Sequence, residues 1–287
     1  MLSSRFAILI VVLTTGGLAG APSLASADTS ASVNWAGYVA HKSGVSFRSV
    51  AAKWKQPAAV CSTPYPTYSA AWVGLGGYSA TSNALEQVGT ELDCSATGVA
   101  SSSAWYELVP APSAKVSMTI RPGDSISARV TVIGKRVTLT LTDSTRRKSF
   151  SKTVNAPSVD VTSAEWIVEA PSGCFNDNLC RTLPLTDFRA VSFSGASAQT
   201  TSARSGSISS RLWQNTKITL QPDGRTYIVY GAAGQATPTA LASGGSSFSV
   251  DYAQTTAPPG APPFFTSLAS TGRPARAVQP GGPRRRL

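Results

Sequence analysis

Two glutamates stand four residues apart in SAEWIVEAP, Ser163 to Pro171, a run rich in the strand formers Trp166, Ile167 and Val168 and closed by Pro171. Strand alternation puts Glu165, Ile167 and Glu169 on one face and Ala164, Trp166 and Val168 on the other. In ALEQVGTEL the same rule puts Leu85, Gln87 and Gly89 on one face, with Glu86 and Val88 on the other. A carboxylate can carry a proton to and from a reacting group, and glutamine offers an acceptor and a two-proton donor without titrating. Such an amide can polarise a carbonyl and hold an oxyanion while a neighbouring carboxylate handles protons. Periodicity alone does not choose between Glu165 and Glu169.

The chain has only 14 acidic residues, so those inside strand-like runs stand out: Glu86, Glu91, Glu107 in AWYEL, Glu165 and Glu169. Each lies near large apolar residues, where an unpaired carboxylate is costly and its pKa rises. The alternative reading, that each faces water across an exposed sheet, is the common fate of charged side chains and stays open on these grounds. The one histidine, His41 in AHKSGVSF, reads as an exposed residue in a turn between the first two strands. A Ser-His-Asp or Cys-His site built on it is disfavoured. Any enzyme here is expected to work with carboxylates and amides.

The elements that must position these groups are short strands. VNWAGYVA, FRSVAAKW, SAAWVGLG, ALEQVGTEL, SAWYELVP, KVSMTI, SISARVTVI, RVTLTLTD, AEWIVEA, FRAVSF, KITLQ, TYIVYG and SFSVDY alternate, and turn signals such as PGD at 122–124 and PDG at 222–224 separate them. So many short strands in about 220 residues imply an all-β domain of two packed antiparallel sheets. No internal repeat favours a propeller.

The termini set the compartment. Arg5 precedes the apolar run FAILIVVLTTGGLAG, and Ala25-Ser26-Ala27 makes an A-x-A cleavage site, so residues 1–27 read as a secretory signal and the mature protein as extracellular. No other stretch reads as a membrane span. Cys61, Cys94, Cys174 and Cys180 fit an oxidising setting: only FNDNL separates the last two, so a local Cys174–Cys180 staple leaves Cys61 with Cys94. A metal site is disfavoured, because no CxxC pair occurs and histidine is scarce. The last 35 residues, 253–287, hold no acid and read as a disordered basic tail, leaving 28–252 as the folded domain. The net charge of +11 is inflated by this tail; without its five arginines and Arg5, 19 basic residues face 14 acidic ones. That balance calls for no nucleic acid, and Arg146, Arg147 and Lys148 read as a solvated hairpin tip.

Six ordered segments, VNWAGYV, AWVGLGG at 71–77, LEQVG at 85–89, AWYE at 104–107, PGDSI at 122–126 and AEWIVEAP at 164–171, resemble the glutamic peptidases, or eqolisins; PLTDFRAVSF at 184–193 resembles a further segment. The resemblance implies a strongly bent, concanavalin-like sandwich of two seven-stranded antiparallel sheets with a substrate groove across the concave face. It implies acid-active endopeptidase chemistry with no cofactor, polypeptide substrates and, as the expected state, a monomer. The family's catalytic glutamine falls on Gln87 and its catalytic glutamate on Glu169, so Gln87 is expected across from Glu169. Trp35, Trp72, Trp105 and Glu107 fall on groove positions and inherit substrate-binding or supporting roles. Glu165 is left as a structural or groove-edge carboxylate.

Three departures from the fungal members stand out. Their acidic residue after WVG is Gly76 here, so part of the groove's charge network is expected to be absent. Their mature domains are acidic whereas this one is basic. SVNWAGYV follows the signal within a few residues, leaving little room for a long propeptide. Two other classes share some equipment: a lectin-like sandwich binds with tryptophans in a concave sheet, and a glycosidase uses paired carboxylates. A lectin needs neither Gln87 nor Glu169, and a glycosidase needs two carboxylates, so Gln87 with Glu169 favours the peptidase.

Overall fold

In the tryptophan-rich runs, alternation buries both faces rather than one: in Trp35–His41 and Ser163–Glu169 nearly every residue is buried. The computed structural model describes residues 28–174, 180–221 and 232–256, with 276–277. The expected signal (1–27), the strand TYIVYG and nearly all of the tail lie outside the described residues. The strands in chain order are β1 (Asp28–Ser32), β2 (Trp35–His41), β3 (Phe47–Lys55), β4 (Thr67–Gly76), β5 (Leu85–Cys94), β6 (Ala100–Val109), β7 (Ala114–Val116), β8 (Ser125–Ile133) and β9 (Arg136–Asp143). They continue as β10 (Lys148–Asn155), β11 (Ser163–Glu169), β12 (Ser172–Cys174), β13 (Cys180–Thr182), β14 (Ala190–Thr200), β15 (Ser205–Ser207), β16 (Gln214–Leu220), β17 (Ala232–Pro238) and β18 (Phe248–Thr256). The only helical element among the described residues is a 3-10 turn, Ser243–Gly245. The protein is all-β.

Hydrogen bonding joins fourteen of these strands in one path, β10-β9-β8-β3-β14-β18-β17-β16-β2-β11-β4-β5-β6-β7, with β1 added to β16 and β15 to β14. Neighbours along the path are antiparallel, as hairpin connections allow. The link between β16 and β17 rests on one described register pair, Leu220 with Ala236. The path folds back on itself: Trp54 Nε1 on β3 donates to Thr90 Oγ1 on β5 at 3.0 Å, and Trp166 Nε1 on β11 donates to Ala51 O on β3 at 2.9 Å. Neither pair of strands is adjacent on the path.

The main core lies between these facing layers and includes Trp54, Ile126, Val130, Leu139 and Phe193 from one side with Val73, Val88 and Trp166 from the other. Truncating so large a buried side chain as Trp166 to alanine costs about 3–5 kcal/mol. A second buried cluster covers the opposite face of β2, β11, β4, β5 and β6: Trp35, Val39, Ala70, Trp72, Leu85, Trp105, Ile167 and Ile218, with Tyr78 and Val109 packed against it. This second face carries the candidate site.

Several elements differ from the periodicity reading. KVSMTI pairs only over Ala114–Val116. Strand β10, KSFSKTVN, gives no periodicity signal because it is an exposed edge without apolar alternation. Strand β17, AAGQATP, has poor strand formers and is held by its ladder with β18. The final strand runs to Thr256, beyond Tyr252. His41 is not in a turn: it ends β2, half-buried. Arg146 does sit at a hairpin tip, but it is tethered there, with Nε 2.7 Å from Asp124 Oδ2 and 3.8 Å from Asp143 Oδ2. Cys61 and Cys94 form a disulfide. Backbone register sets Cys174 opposite Cys180; the side chains of that expected staple lie outside the described residues.

Candidate active site

Glu169 ends β11, where its backbone pairs with Trp35 on β2 and Ala70 on β4. Its side chain is 3% exposed. Trp72 Nε1 donates to Oε2 at 2.8 Å and Asn34 Nδ2 donates to Oε1 at 3.2 Å. Asn34 is itself fixed: the Ser32 hydroxyl donates to its Oδ1 at 3.0 Å, and its carbonyl accepts from Ala170 N at 2.8 Å. Charge-assisted bonds of this kind are stronger than neutral ones and hold the carboxylate in one orientation. Sequence reasoning missed Asn34; a buried amide beside the first tryptophan of VNWAGYV was the available signal.

Gln87 lies on β5 directly opposite Gly74 of β4 and Glu107 of β6. It is fully buried, and its Nε2 donates to Glu107 Oε2 at 2.6 Å. Its Oε1 has no hydrogen-bond partner among the described residues. The amide therefore keeps a second N–H and an acceptor for a reacting molecule. Burial pushes the Glu107 carboxyl up to about 7, with the charge of Glu91 adding to the rise and the Gln87 hydrogen bond opposing it.

Gln87 and Glu169 share one face through their registers on β4, but they are not opposite each other. Their partners on β4, Gly74 and Ala70, are four residues apart, and Trp72 comes between. The Trp72 indole spans that interval: Nε1 meets Glu169, while Cζ3 lies 2.9 Å from the point where a Cβ on Gly74 would stand. A Cβ on Gly89, opposite Trp72, would come within 2.3 Å of Ala71 O and 2.6 Å of Trp72 Cβ, so Gly74 makes room for the ring and Gly89 for the close approach of β4 itself. Trp35 packs edge-on against Trp72 with centroids 5.2 Å apart. The indole nitrogens of Trp35 and Trp105 have no hydrogen-bond partner among the described residues.

The water-facing reading of the glutamates fails for four of the five. Glu86, Glu107, Glu165 and Glu169 are all buried, and only Glu91 is half-exposed. Glu165 is fully buried on the same face as Glu169, with no hydrogen-bond partner of sound geometry for either oxygen among the described residues. Burial above all pushes its carboxyl well above the usual range, against the nearby Ser163 hydroxyl and with added repulsion from Asp160 and Glu86. Glu86, on the core side, is pushed up to about 8, chiefly by burial.

The acid expected to be missing at position 76 has a neighbour in its place. Gly76 sits at φ +85°, and a Cβ there would lie 2.5 Å from Asp160 Cβ. Burial works against the Asp160 charge, but donors from Ser82, Thr162 and Gly77 hold its carboxyl below the ordinary value. An ionised carboxylate is therefore supplied from another segment. Among the described residues no group of histidine, cysteine and acidic side chains could hold a metal ion.

Residues 33–252 match the model of the Peptidase A4 family. No curated protein matches by sequence. Among solved structures, the chain is similar to scytalido-glutamic peptidase with a transition state analog inhibitor: 26% identity, TM-score 0.62, covering 77% of this chain and 98% of that one. It is also similar to aspergilloglutamic peptidase from Aspergillus niger: 27% identity, TM-score 0.51, covering 65% of this chain and 99% of that one. A third likeness, in fold, is to the eqolisin SCP-B in complex with the tripeptide Ala-Ile-His, at 24% identity and TM-score 0.55.

Proposed function

The chain belongs to the Peptidase A4 family and is a glutamic peptidase; on that premise we propose that Gln87 and Glu169 are the catalytic pair of a secreted, acid-active endopeptidase. The carrying observation is that both lie buried on one sheet face, each held by its own partner: Glu169 by Trp72 and Asn34, Gln87 by Glu107. A water between them loses a proton to Glu169 as its oxygen bonds to the scissile carbonyl carbon. The second N–H of Gln87 stabilises the oxyanion so formed, and Glu169 returns the proton to the leaving amine as the C–N bond breaks. Glutamine suits this role because it stays neutral. No cofactor enters the scheme.

Trp35, Trp72 and Trp105 floor the substrate groove. Unpartnered indole N–H groups on Trp35 and Trp105 suit main-chain carbonyls of an extended peptide. Glu107 orients Gln87. A buried carboxyl pushed up to about 7 keeps its proton in acid, which favours an acidic working range for the groove. The seven strands from β10 to β17 and the seven from β16 to β7 meet at one described register pair, which supports reading the fold as two seven-stranded sheets. Residues 1–27 as a signal, the basic tail after the domain, the Cys174–Cys180 staple, a monomeric state and the absence of nucleic-acid and membrane partners belong to the same proposal.

The test is cleavage of a denatured protein across a pH series, run beside folded Glu169→Gln and Gln87→Ala variants. Each variant is expected to lose at least about a hundredfold in kcat. Undiminished cleavage by either would sink the pair, and no cleavage by the wild type at any pH would return the chain to a lectin-like binding role.

A further inference from the structure

At the end of the groove face away from Glu169, the otherwise buried surface gives way to two half-buried rings. Tyr78, the second residue after β4, packs against the cluster of Trp35, Val39 and Ile218. Its ring lies on that of His41 with centroids 4.8 Å apart and a 33° tilt. Both rings are fixed by one hydroxyl: Thr216 Oγ1 on β16 is 2.8 Å from His41 Nε2 and accepts from Tyr78 OH at 3.4 Å. Three separate segments, the end of β2, the β4–β5 connection and β16, are thereby brought to one spot.

The connection that carries Tyr78 is itself tied at two points. Asp160 Oδ2 accepts from Gly77 N at 3.3 Å, immediately before Tyr78, and from the Ser82 hydroxyl, four residues after it. The other oxygen, Oδ1, accepts from Thr162 N at 2.9 Å and Thr162 Oγ1 at 2.7 Å, anchoring the carboxylate to the start of β11. The missing side chain at Gly76 leaves the space in which Asp160 stands. A solvated loop would need none of these ties; a loop that must hold one ring at a fixed height over the groove floor does.

We propose that Tyr78 and His41 form a substrate subsite at the rim of the groove, one that takes a large aromatic side chain, and that Asp160 is its positioning residue. The proposal rests on the peptidase reading for the identity of the ligand as a peptide. An aromatic side chain fits this chemistry because the rim offers two ring systems above an apolar floor and a single hydroxyl already engaged by both. A small or charged side chain would leave the ring faces uncovered. Neither Tyr78 nor His41 touches the reacting atoms, so the subsite acts on affinity and leaves the chemical step alone.

The experiment uses the full chain and a set of peptides in which one phenylalanine is walked along an otherwise alanine-rich sequence around a fixed cleavable bond. In the wild type, one position is expected to lower KM on changing alanine to phenylalanine. Tyr78→Ala should raise KM for that peptide about tenfold, with kcat within about twofold, and leave the all-alanine peptide unchanged. Tyr78→Phe keeps the ring but loses the Thr216 bond, so it should retain the phenylalanine preference with a smaller KM rise than Tyr78→Ala, and Asp160→Asn should repeat the selective KM effect. Equal loss on all peptides, or a phenylalanine preference that survives Tyr78→Ala, would overturn the proposal. Calorimetric binding of the same two peptides to the Glu169→Gln variant, with and without Tyr78→Ala, reads the subsite without catalysis. An absence of cleavage by the wild type therefore counts against the peptidase reading, while this binding difference still decides the subsite.

Discussion

Gln87 Nε2 donates to Glu107 Oε2 at 2.6 Å, between residues directly opposite each other on β5 and β6. With the Glu107 carboxyl pushed up to about 7, the acceptor is a protonated acid at lower pH, and its carbonyl oxygen still receives the amide. Glu107→Gln should therefore keep kcat within about threefold in acid, because an amide carbonyl accepts equally well. Glu107→Leu leaves the Gln87 amide unanchored and should lower kcat at least about tenfold. Steady-state kinetics on a single peptide at low pH separates the two.

Trp72 links the two halves of the site, so its nitrogen and its ring can be tested apart. Trp72→Phe removes the N–H that meets Glu169 Oε2 at 2.8 Å while keeping most of the apolar contact. A lost charge-assisted hydrogen bond of about 1.4 kcal/mol corresponds to a tenfold fall in kcat/KM. The melting temperature should move far less than on truncation to alanine.

Stability should fall as the solution turns from acid to neutral. Glu86, Glu107 and Asp93 have folded values raised to about 8, 7 and 7, and each rise is due first to burial. Between the unfolded values near 4 and these folded ones, the native state holds protons that the unfolded chain has released, so the slope with pH is negative. The stabilisation is complete below about pH 4 and is lost as pH rises through 7 to 8. Thermal melts from pH 4 to 9 should show a steady fall in Tm, and Glu86→Gln should flatten its upper part.

The Cys61–Cys94 disulfide joins the connection after β3 to the end of β5 across 33 residues. Closing a loop of that length removes unfolded-state entropy worth about 3–4 kcal/mol. A Cys61→Ala, Cys94→Ala double variant should lose stability of that order in denaturant unfolding, with kcat unchanged, since neither cysteine lies beside Gln87 or Glu169.

Much of the site was legible because alternation is a local property. That Glu165 and Glu169 face one way follows from counting residues along one strand, and the ordered motifs singled out Glu169; Gln87 joins that face only through the registers of β5 and β11 with β4. The edge strand β10 and the alanine- and glycine-rich β17 were illegible for the opposite reason. Their pairing comes from neighbours already in place, and their own side chains carry little apolar signal. His41 looked like a turn residue because its partners, Tyr78 and Thr216, are remote in sequence.

The amino-acid sequence by itself determined an all-β chain, the residue types capable of hydrolysis and which residues of each strand share a side, because strand geometry turns spacing directly into sidedness within a strand. Only the tertiary structure decided what each group experiences. Register set Glu107 against Gln87 and put Trp72 between Gln87 and Glu169, and burial raised Glu165 and Glu86 while four donors kept Asp160 ionised beside Gly76. Contacts of that kind depend on which distant strands become neighbours, and spacing along one strand carries no information about them.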